Sequence, residues 1–227
     1  RANFKNAFKK YGKLILILFI VTSSLIQGSR IPTQSMETTI MTGDFLMTNK
    51  LAYDLTTPRN IPFTDISLPF TQIIKWGDPN RGDIIVFEFP GNRDEIKNAK
   101  IENYVKRCVA IAGDTLEIRN KILYVNNKEA PIPSRAQYVR NYIYPKDFTE
   151  PEIFPKGTNG NADQYGPIVI PKKGDIINLS LQNIEQWNIF IDREYGKNVV
   201  KINDGKIFID GQETAQYKVT DDYYFMM

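Results

Sequence analysis

The strongest constraint on the fold is a series of short β-branched or alternating apolar runs, each bounded by Gly, Asp, Asn or Pro. Runs of about four to eight such residues between turn residues predict β-strands. The predicted strands are residues 45–50, 83–89, 104–110, 115–118 and 121–125. The last two runs are close enough along the chain to form a hairpin. The sequence therefore predicts a mainly β protein.

One later segment has helical periodicity instead. Within residues 180–195, four apolar side chains share one helical face, and Gly196 follows as a stop signal. These side chains are Leu181, Ile184, Trp187 and Ile191. Residues 130–167 are rich in Pro, Gly, Asn and Asp, a composition typical of loops. We therefore predict a loosely structured insertion that is followed by a helix.

Two short patterns occur twice. Residues 81–85, Arg-Gly-Asp-Ile-Ile, resemble residues 173–177, Lys-Gly-Asp-Ile-Ile, and residues 121–126 resemble residues 206–211. Gly-Asp and Asp-Gly turns are common enough to recur by chance. The sequence leaves open whether the resemblance extends beyond the turns.

An apolar run near the start predicts a membrane anchor. Residues 14–26 carry no charge, and the preceding residues are basic without an acid. A bilayer span needs about 20 residues, which a helix over residues 11–29 approaches if flanking Lys9, Lys10, Lys13 and Arg30 reach the two interfaces. The basic flank would keep the start of the chain in the cytoplasm and place later residues outside it. A cleavable secretory signal and a buried core helix remain alternative interpretations.

Composition excludes several kinds of site. The 227 residues are 42% hydrophobic, enough for one large or two small cores, and the net charge of +3 predicts no nucleic-acid surface. The single cysteine, Cys108, has no internal disulfide partner. Because the chain has no histidine, a Ser-His-Asp triad and an imidazole metal site are impossible. A general base must therefore be a lysine or a carboxylate.

Lys106 is a candidate for that base. A neutral lysine amine can activate a serine hydroxyl, provided that burial lowers the lysine pKa from about 10.4. Apolar neighbours predict a largely buried strand around Lys106, and strand alternation places Arg107 on the opposite face. The alternative is a lysine at a strand edge with its amine in water.

Ser35 is the matching candidate nucleophile. Pro32 stiffens the chain before it, and the Thr33 hydroxyl lies two residues away. Thr33 and the backbone N–H of Ser35 would then face a developing oxyanion. The alternative is that Ser35 only stabilises a turn.

Four ordered motifs contain these residues. They are residues 31–36, Ile-Pro-Thr-Gln-Ser-Met, with Gly-Asp-Phe at 43–45; residues 81–87; residues 104–107 with Gly-Asp at 113–114; and residues 224–227. In their order and spacing they resemble the motifs of bacterial type I signal peptidase, also called leader peptidase. The segment between residues 130 and 218 carries no motif of this family.

The resemblance implies a membrane-bound serine endopeptidase that cleaves signal peptides from exported preproteins, outside the cytoplasmic (inner) membrane. Ser35 would be the nucleophile, Lys106 the general base, and Thr33 with the Ser35 N–H the oxyanion hole. Small pockets for the substrate residues at −1 and −3 would be lined by Ile31, Pro32, Met36, Tyr104 and Val105. Arg107 and Asp114 would support the site. The implied partners are signal peptides and membrane lipid, with no metal, cofactor or nucleic acid.

The fold implied by the resemblance is an antiparallel coiled β-sheet catalytic core with an inserted cap domain and a preceding transmembrane helix. The expected parts are a basic flank and anchor at 1–29, the catalytic core at 30–129, an α+β cap at 130–218, and a return to the core at 219–227.

Three departures from the family pattern leave alternatives open. Thr38 and Ala112 stand where the family usually has proline. The final motif of the family, from Gly-Asp-Asn-Arg to Asp-Ser-Arg, is absent before Met227, which predicts a truncated chain without the groups that orient the lysine. One alternative is therefore an anchored β-module that binds peptides without catalysis. The other is a self-cleaving Ser-Lys protease of the repressor type.

Overall fold

A computed structural model describes residues 10–14, 17, 25–30, 36–37, 39–41, 43–57, 68–69, 71–99, 101–138 and 140–227. The chain divides into two compact units. We call Arg1–Pro79 the amino-terminal unit and Asn80–Met227 the carboxy-terminal unit.

In the part of the amino-terminal unit that the structure describes, there are two antiparallel strand pairs. Strand β1 (Ile26–Arg30) pairs with β2 (Phe45–Asn49), and β3 (Asp54–Thr56) pairs with β4 (Gln72–Lys75). Strand β2 confirms the prediction for residues 45–50.

The predicted helix over residues 11–29 is wrong at its carboxyl end. Residues 10–14 and 17 are helical, whereas Ile26–Arg30 form β1. Gly28 and Ser29 are weaker helix formers than the preceding Leu and Ile residues, and cross-strand pairing with β2 satisfies their backbone instead. Residues 15–16 and 18–24, the middle of the predicted anchor, lie outside the described residues. No helix in the described part of the chain is long and apolar enough to cross a membrane.

The described residues of the carboxy-terminal unit form antiparallel strands and one helix. The strands are β5 (Ile84–Glu88), β6 (Asn103–Ala110), β7 (Thr115–Arg119), β8 (Ile122–Val125), β9 (Lys128–Glu129), β10 (Gln164–Val169), β11 (Ile176–Asn178), β12 (Val200–Asn203), β13 (Lys206–Ile209), β14 (Gln212–Glu213), β15 (Gln216–Lys218) and β16 (Phe225–Met226). Helix α1 is Ile184–Tyr195. The sheets have the orders β16-β6-β5, β10-β7-β8-β9, β12-β13-β14 and β11-β15.

These elements confirm most of the local predictions. Strands β5 to β8 coincide with the four predicted strands beyond residue 80, and β7 and β8 form the predicted hairpin. The helix begins at Ile184 rather than at residue 180, and Gly196 ends it with a positive φ of 67°. Apart from residue 139, which lies outside the described residues, segment 130–163 contains no helix or strand, whereas β10 begins at Gln164, within the predicted loop 130–167. The mainly β fold class is therefore confirmed.

Two buried clusters hold the carboxy-terminal unit together. One packs Ile184, Phe190 and Ile191 of α1 against apolar side chains of the following strands. The other joins the ends of β6, β7 and β10 through Ala110, Leu116 and Tyr165 and continues to Ile118 and Ile170. Tyr223 packs against both clusters. Since burial of apolar area is the main stabilising term, Tyr223 links the helix to the sheet that contains β6.

Both repeated patterns form repeated structures. In four Gly-Asp turns, Gly43, Gly82, Gly113 and Gly174 have positive φ values of 94°, 98°, 85° and 92°. In each turn the Asp carboxylate accepts a hydrogen bond of 2.9 Å from the N–H three residues earlier. The β7-β8-β9 and β12-β13-β14 segments also share two-residue turns in which both residues have positive φ. The resemblance therefore extends beyond the turns to whole three-stranded segments.

Candidate active site

Lys106 lies on the central strand of its sheet. Strand β6 has β5 on one edge and β16 on the other. Ile85 of β5 is opposite Lys106. On the second edge, Arg107 and Met227 exchange two backbone hydrogen bonds of 2.9 Å. Both edges of the strand next to Lys106 are therefore covered.

Burial changes the acidity of the lysine. The Lys106 side chain is partly buried, and this burial lowers its pKa below the ordinary value of 10.5. Within the described residues, no carboxylate forms an ion pair with its amine. Lys106 is thus partly buried rather than part of a largely buried strand, and burial lowers its pKa in the expected direction; its role as a base stays a prediction. When the pKa of an amine is lowered, a larger fraction of it is neutral near pH 7, and only the neutral amine can accept a proton as a general base.

Burial alone does not single out Lys106. Lys50, at the end of β2 in the amino-terminal unit, is also partly buried, and burial lowers its pKa as well. Lys106 differs from Lys50 in its position within the motif at residues 104–107. Lys50 is therefore a suitable comparison for experiments on Lys106.

Tyr104 shares a face of β6 with Lys106, because side chains alternate along a strand. The Tyr104 ring stacks on Phe89, with ring centroids 4.4 Å apart and an interplanar angle of 11°. Phe87 contacts the same ring edge-on at 6.5 Å. Val105 lies on the other face, opposite Val86. The structure thus brings Tyr104 and Lys106 together on one face, and it places Val105 on the other.

Arg107 and Asp114 both act on the turn that leads into β5. Arg107 lies on the face opposite Lys106, as predicted, and its Nη1 donates a 2.6 Å hydrogen bond to the Gly82 carbonyl. Asp114 is only 4% exposed and accepts hydrogen bonds from Arg81 Nε at 2.7 Å and from Arg81 Nη2. These contacts fix residues 81–82 to β6 and to the 111–114 turn. This role of Arg81 was not predicted from the sequence, although Arg81 is the first residue of the motif at residues 81–87.

Two further donors complete the surroundings of Asp114. The Ile111 N–H and Asn126 Nδ2 each donate to its carboxylate at 2.9 Å. Burial on its own raises the pKa of Asp114, but the hydrogen bonds from Arg81, Ile111 and Asn126 outweigh this effect and lower the pKa below 3.8. The charged carboxylate is therefore a fixed part of the support beneath β6.

Replacing Asp114 with alanine should lower the free energy of unfolding by about 3 kcal/mol, because a buried carboxylate is lost together with the four hydrogen bonds that it accepts. Urea unfolding would measure this loss. Asp175→Ala is the matched control, since Asp175 holds the same kind of turn at an exposed position, and we expect a loss of about 1 kcal/mol. The stabilisation from Asp114 should be complete above pH 3.8, its ordinary pKa, and should disappear as the pH falls through its lower folded-state pKa. Equal losses in both variants would contradict this assignment.

The remaining predicted site residues belong to the amino-terminal unit. Ile31, Pro32, Thr33 and Ser35 lie outside the described residues, so their roles stay predictions. Met36 is 8% exposed, and its carbonyl accepts hydrogen bonds from the N–H groups of Thr39 at 3.1 Å and Ile40 at 2.8 Å. A compact turn therefore follows directly after the predicted nucleophile.

Comparison with known proteins gives a consistent result. Signal peptidase I of Pseudomonas aeruginosa is 36% identical over 124 residues, which cover 52% of this chain and 38% of that protein. Signal peptidase I of Buchnera aphidicola is 33% identical over 149 residues, covering 63% of this chain and 42% of that protein. Signal peptidase I of Rickettsia canadensis is 24% identical over 214 residues, covering 92% of this chain and 69% of that protein.

The first two matches span less than half the length of those relatives. No solved structure matches the chain significantly. The model of one protein family, however, matches residues 4–227, nearly the whole chain. The chain therefore belongs to the family described as signal peptidase, peptidase S26.

Proposed function

We propose that the protein containing this chain is a membrane-bound serine endopeptidase that cleaves the signal peptides of exported preproteins, with Ser35 as nucleophile and Lys106 as general base. The observation that carries this proposal is the partly buried Lys106 on β6, whose pKa is lowered by burial. The family match and the names of the similar proteins support the same reaction.

In the proposed mechanism, the neutral Lys106 amine takes the proton of the Ser35 hydroxyl as Oγ attacks the scissile carbonyl carbon. The Thr33 hydroxyl and the Ser35 N–H donate hydrogen bonds to the resulting oxyanion. The protonated Lys106 then gives its proton to the leaving amine. In the second half, Lys106 takes a proton from the water molecule that attacks the acyl-enzyme. It then returns this proton to Ser35 Oγ as the acyl group leaves, which restores the Ser35 hydroxyl and the neutral amine.

Small side chains on the substrate would be selected by shallow apolar pockets at positions −1 and −3. We assign their walls to Ile31, Pro32, Met36 and Tyr104, of which Tyr104 is held by its stack on Phe89. Val105, on the other face of β6, would line a different pocket wall from Tyr104. A larger substrate side chain would overpack such a pocket at a cost of about 1–3 kcal/mol.

The protein would be held in the cytoplasmic membrane by its basic flank and the apolar run that precedes β1, with the catalytic core on the extracytoplasmic side. The basic residues before the apolar run support this orientation, since positive flanks stay in the cytoplasm. Residues 30–129 and 219–227 would form the catalytic core, with residues 130–218 as the cap. Membrane lipid and signal peptides are then its two partners.

The full-length protein in detergent micelles should cleave a preprotein after an Ala-x-Ala sequence, and the cut should be located by sequencing the new amino terminus. Replacing the −1 alanine of this substrate with leucine should lower kcat/KM by about 10- to 100-fold, because the pocket is overpacked. Cleavage that ignores the −1 side chain would contradict the proposed pockets. A protein that binds the preprotein without cutting it would instead be a peptide-binding module.

A further inference from the structure

Arg193, near the end of helix α1, binds three backbone carbonyls of one distant loop. Its Nε donates to the Glu95 carbonyl at 2.9 Å, and its Nη2 donates to the carbonyls of Asn92 at 2.7 Å and Gly91 at 3.1 Å. All three belong to the segment 89–102, which we call the β5–β6 loop. The guanidinium is partly buried and lies 5.7 Å from the Phe154 ring centroid. Through Arg193, the segment 130–218, which we call the cap segment, therefore binds the loop that leads into the strand of Lys106.

The β5–β6 loop is shaped to present these carbonyls. The Glu95 carboxylate accepts a 2.9 Å hydrogen bond from the Asn92 N–H, and the Glu95 N–H donates to the Asn92 carbonyl at 3.0 Å. Gly91 is buried with a positive φ of 115°, and a Cβ there would lie 3.2 Å from the Asn98 nitrogen. A side chain at this position would strain the backbone and crowd Asn98, so glycine is required there.

The same loop sets the position of Tyr104. At its start, the Phe89 N–H donates a 2.8 Å hydrogen bond to the Glu102 carbonyl, which extends the pairing of β5 with β6. The Phe89 ring then stacks on Tyr104 at 4.4 Å. Tyr104 shares the face of β6 that carries Lys106. A continuous series of contacts thus joins Arg193 to that face.

We propose that Arg193 is a positioning residue for substrate selection, which holds Phe89 against Tyr104 and keeps Tyr104 as a rigid wall of the pocket for small side chains. This inference rests on the proposed function. A rigid wall rejects larger side chains because they overpack the pocket, whereas a loose wall yields to them. Arg193 therefore gives the cap segment a part in deciding which preproteins are cut.

Arg193→Met tests the proposal, because methionine keeps an unbranched apolar side chain and removes every donor. We expect the ratio of kcat/KM for a −1 alanine preprotein to that for a −1 valine preprotein to fall about tenfold. Arg193→Lys, with a single donor group, should give an intermediate ratio. Lys197→Met is the control, since Lys197 follows the same helix but pairs with exposed Asp210 at 2.9 Å; it should keep the wild-type ratio.

A second measurement does not depend on cleavage. The amides of Phe89 and Tyr104 should exchange hydrogen faster in Arg193→Met than in wild type or Lys197→Met. Unchanged exchange would overturn the inference. If Arg193→Met does not fold, Phe89→Leu removes the stacked ring at the other end of the same contacts, and it must lower the ratio in the same way.

The outcomes separate this inference from the proposed function. If wild type cleaves the −1 alanine preprotein in preference to the −1 valine preprotein, and Arg193→Met has the same ratio of kcat/KM values, the inference is overturned but the proposed function stands. An equal loss of kcat/KM for both substrates overturns it as well, because Arg193 would then be merely structural. A wild-type protein that cleaves neither preprotein overturns the proposed function and this inference together.

Discussion

Lys106→Met should lower kcat for preprotein cleavage by about 10³-fold, because a positioned general base contributes on the order of 10²- to 10⁴-fold. Lys106→Arg should be as inactive, since a guanidinium stays protonated at any working pH. Single-turnover cleavage of the Ala-x-Ala preprotein would measure both. Lys50→Met is the matched control, because burial lowers the pKa of Lys50 too. We expect it to keep most of the activity.

The same lysine predicts two pH dependences. Activity should be lost as the pH falls through the folded-state pKa of Lys106, which lies below 10.5. At pH values between that pKa and 10.5, the unfolded protein binds more protons than the folded protein. The stability of wild type should therefore rise with pH in this range. Lys106→Met removes the cost of burying a charged amine, so it should be more stable than wild type at low pH. The difference in stability between the two proteins should disappear near pH 10.5. A variant that is both inactive and less stable would point to a structural lysine.

Ser35→Ala should lower the cleavage rate by on the order of 10³-fold or more, since the nucleophile is removed while the pockets remain. Binding of an uncleavable preprotein peptide should change little, which a fluorescence anisotropy titration would show. Ser134→Ala is the matched control, because Ser134 is exposed in the insertion. Full activity in Ser35→Ala would reject the Ser-Lys mechanism, and absence of cleavage in every protein would favour the peptide-binding module.

Local patterns explain which parts of the fold could be predicted. Strands β5 to β8 combine a short apolar run with turn residues at both ends, so a window of a few residues contains the information. The partial burial of Lys106 followed from its apolar neighbours. Strand β1 was missed because the apolar run before it extends the helical pattern through residue 26, while its partner β2 lies almost twenty residues later.

Long-range contacts explain what could not be predicted. Asp114 binds Arg81 across 33 positions of sequence, and Arg193 binds Asn92 across 101. Neither arginine has a local pattern that distinguishes it from a solvated surface residue. The family resemblance identified the motif that contains Arg81, but residues 130–218 carry no motif of this family, and the contacts of Arg193 emerged only from the structure.

The pairing of β6 with β16 has a consequence for biosynthesis. Cys108 pairs with Met226, so the strand of Lys106 leaves the ribosome more than a hundred residues before its second neighbour does. At ordinary translation speeds this delay is on the order of ten seconds. During that time β6 has an open edge, which is a template for pairing with other chains. A nascent chain that stops before residue 225 would keep this edge open permanently, so we expect such products to aggregate.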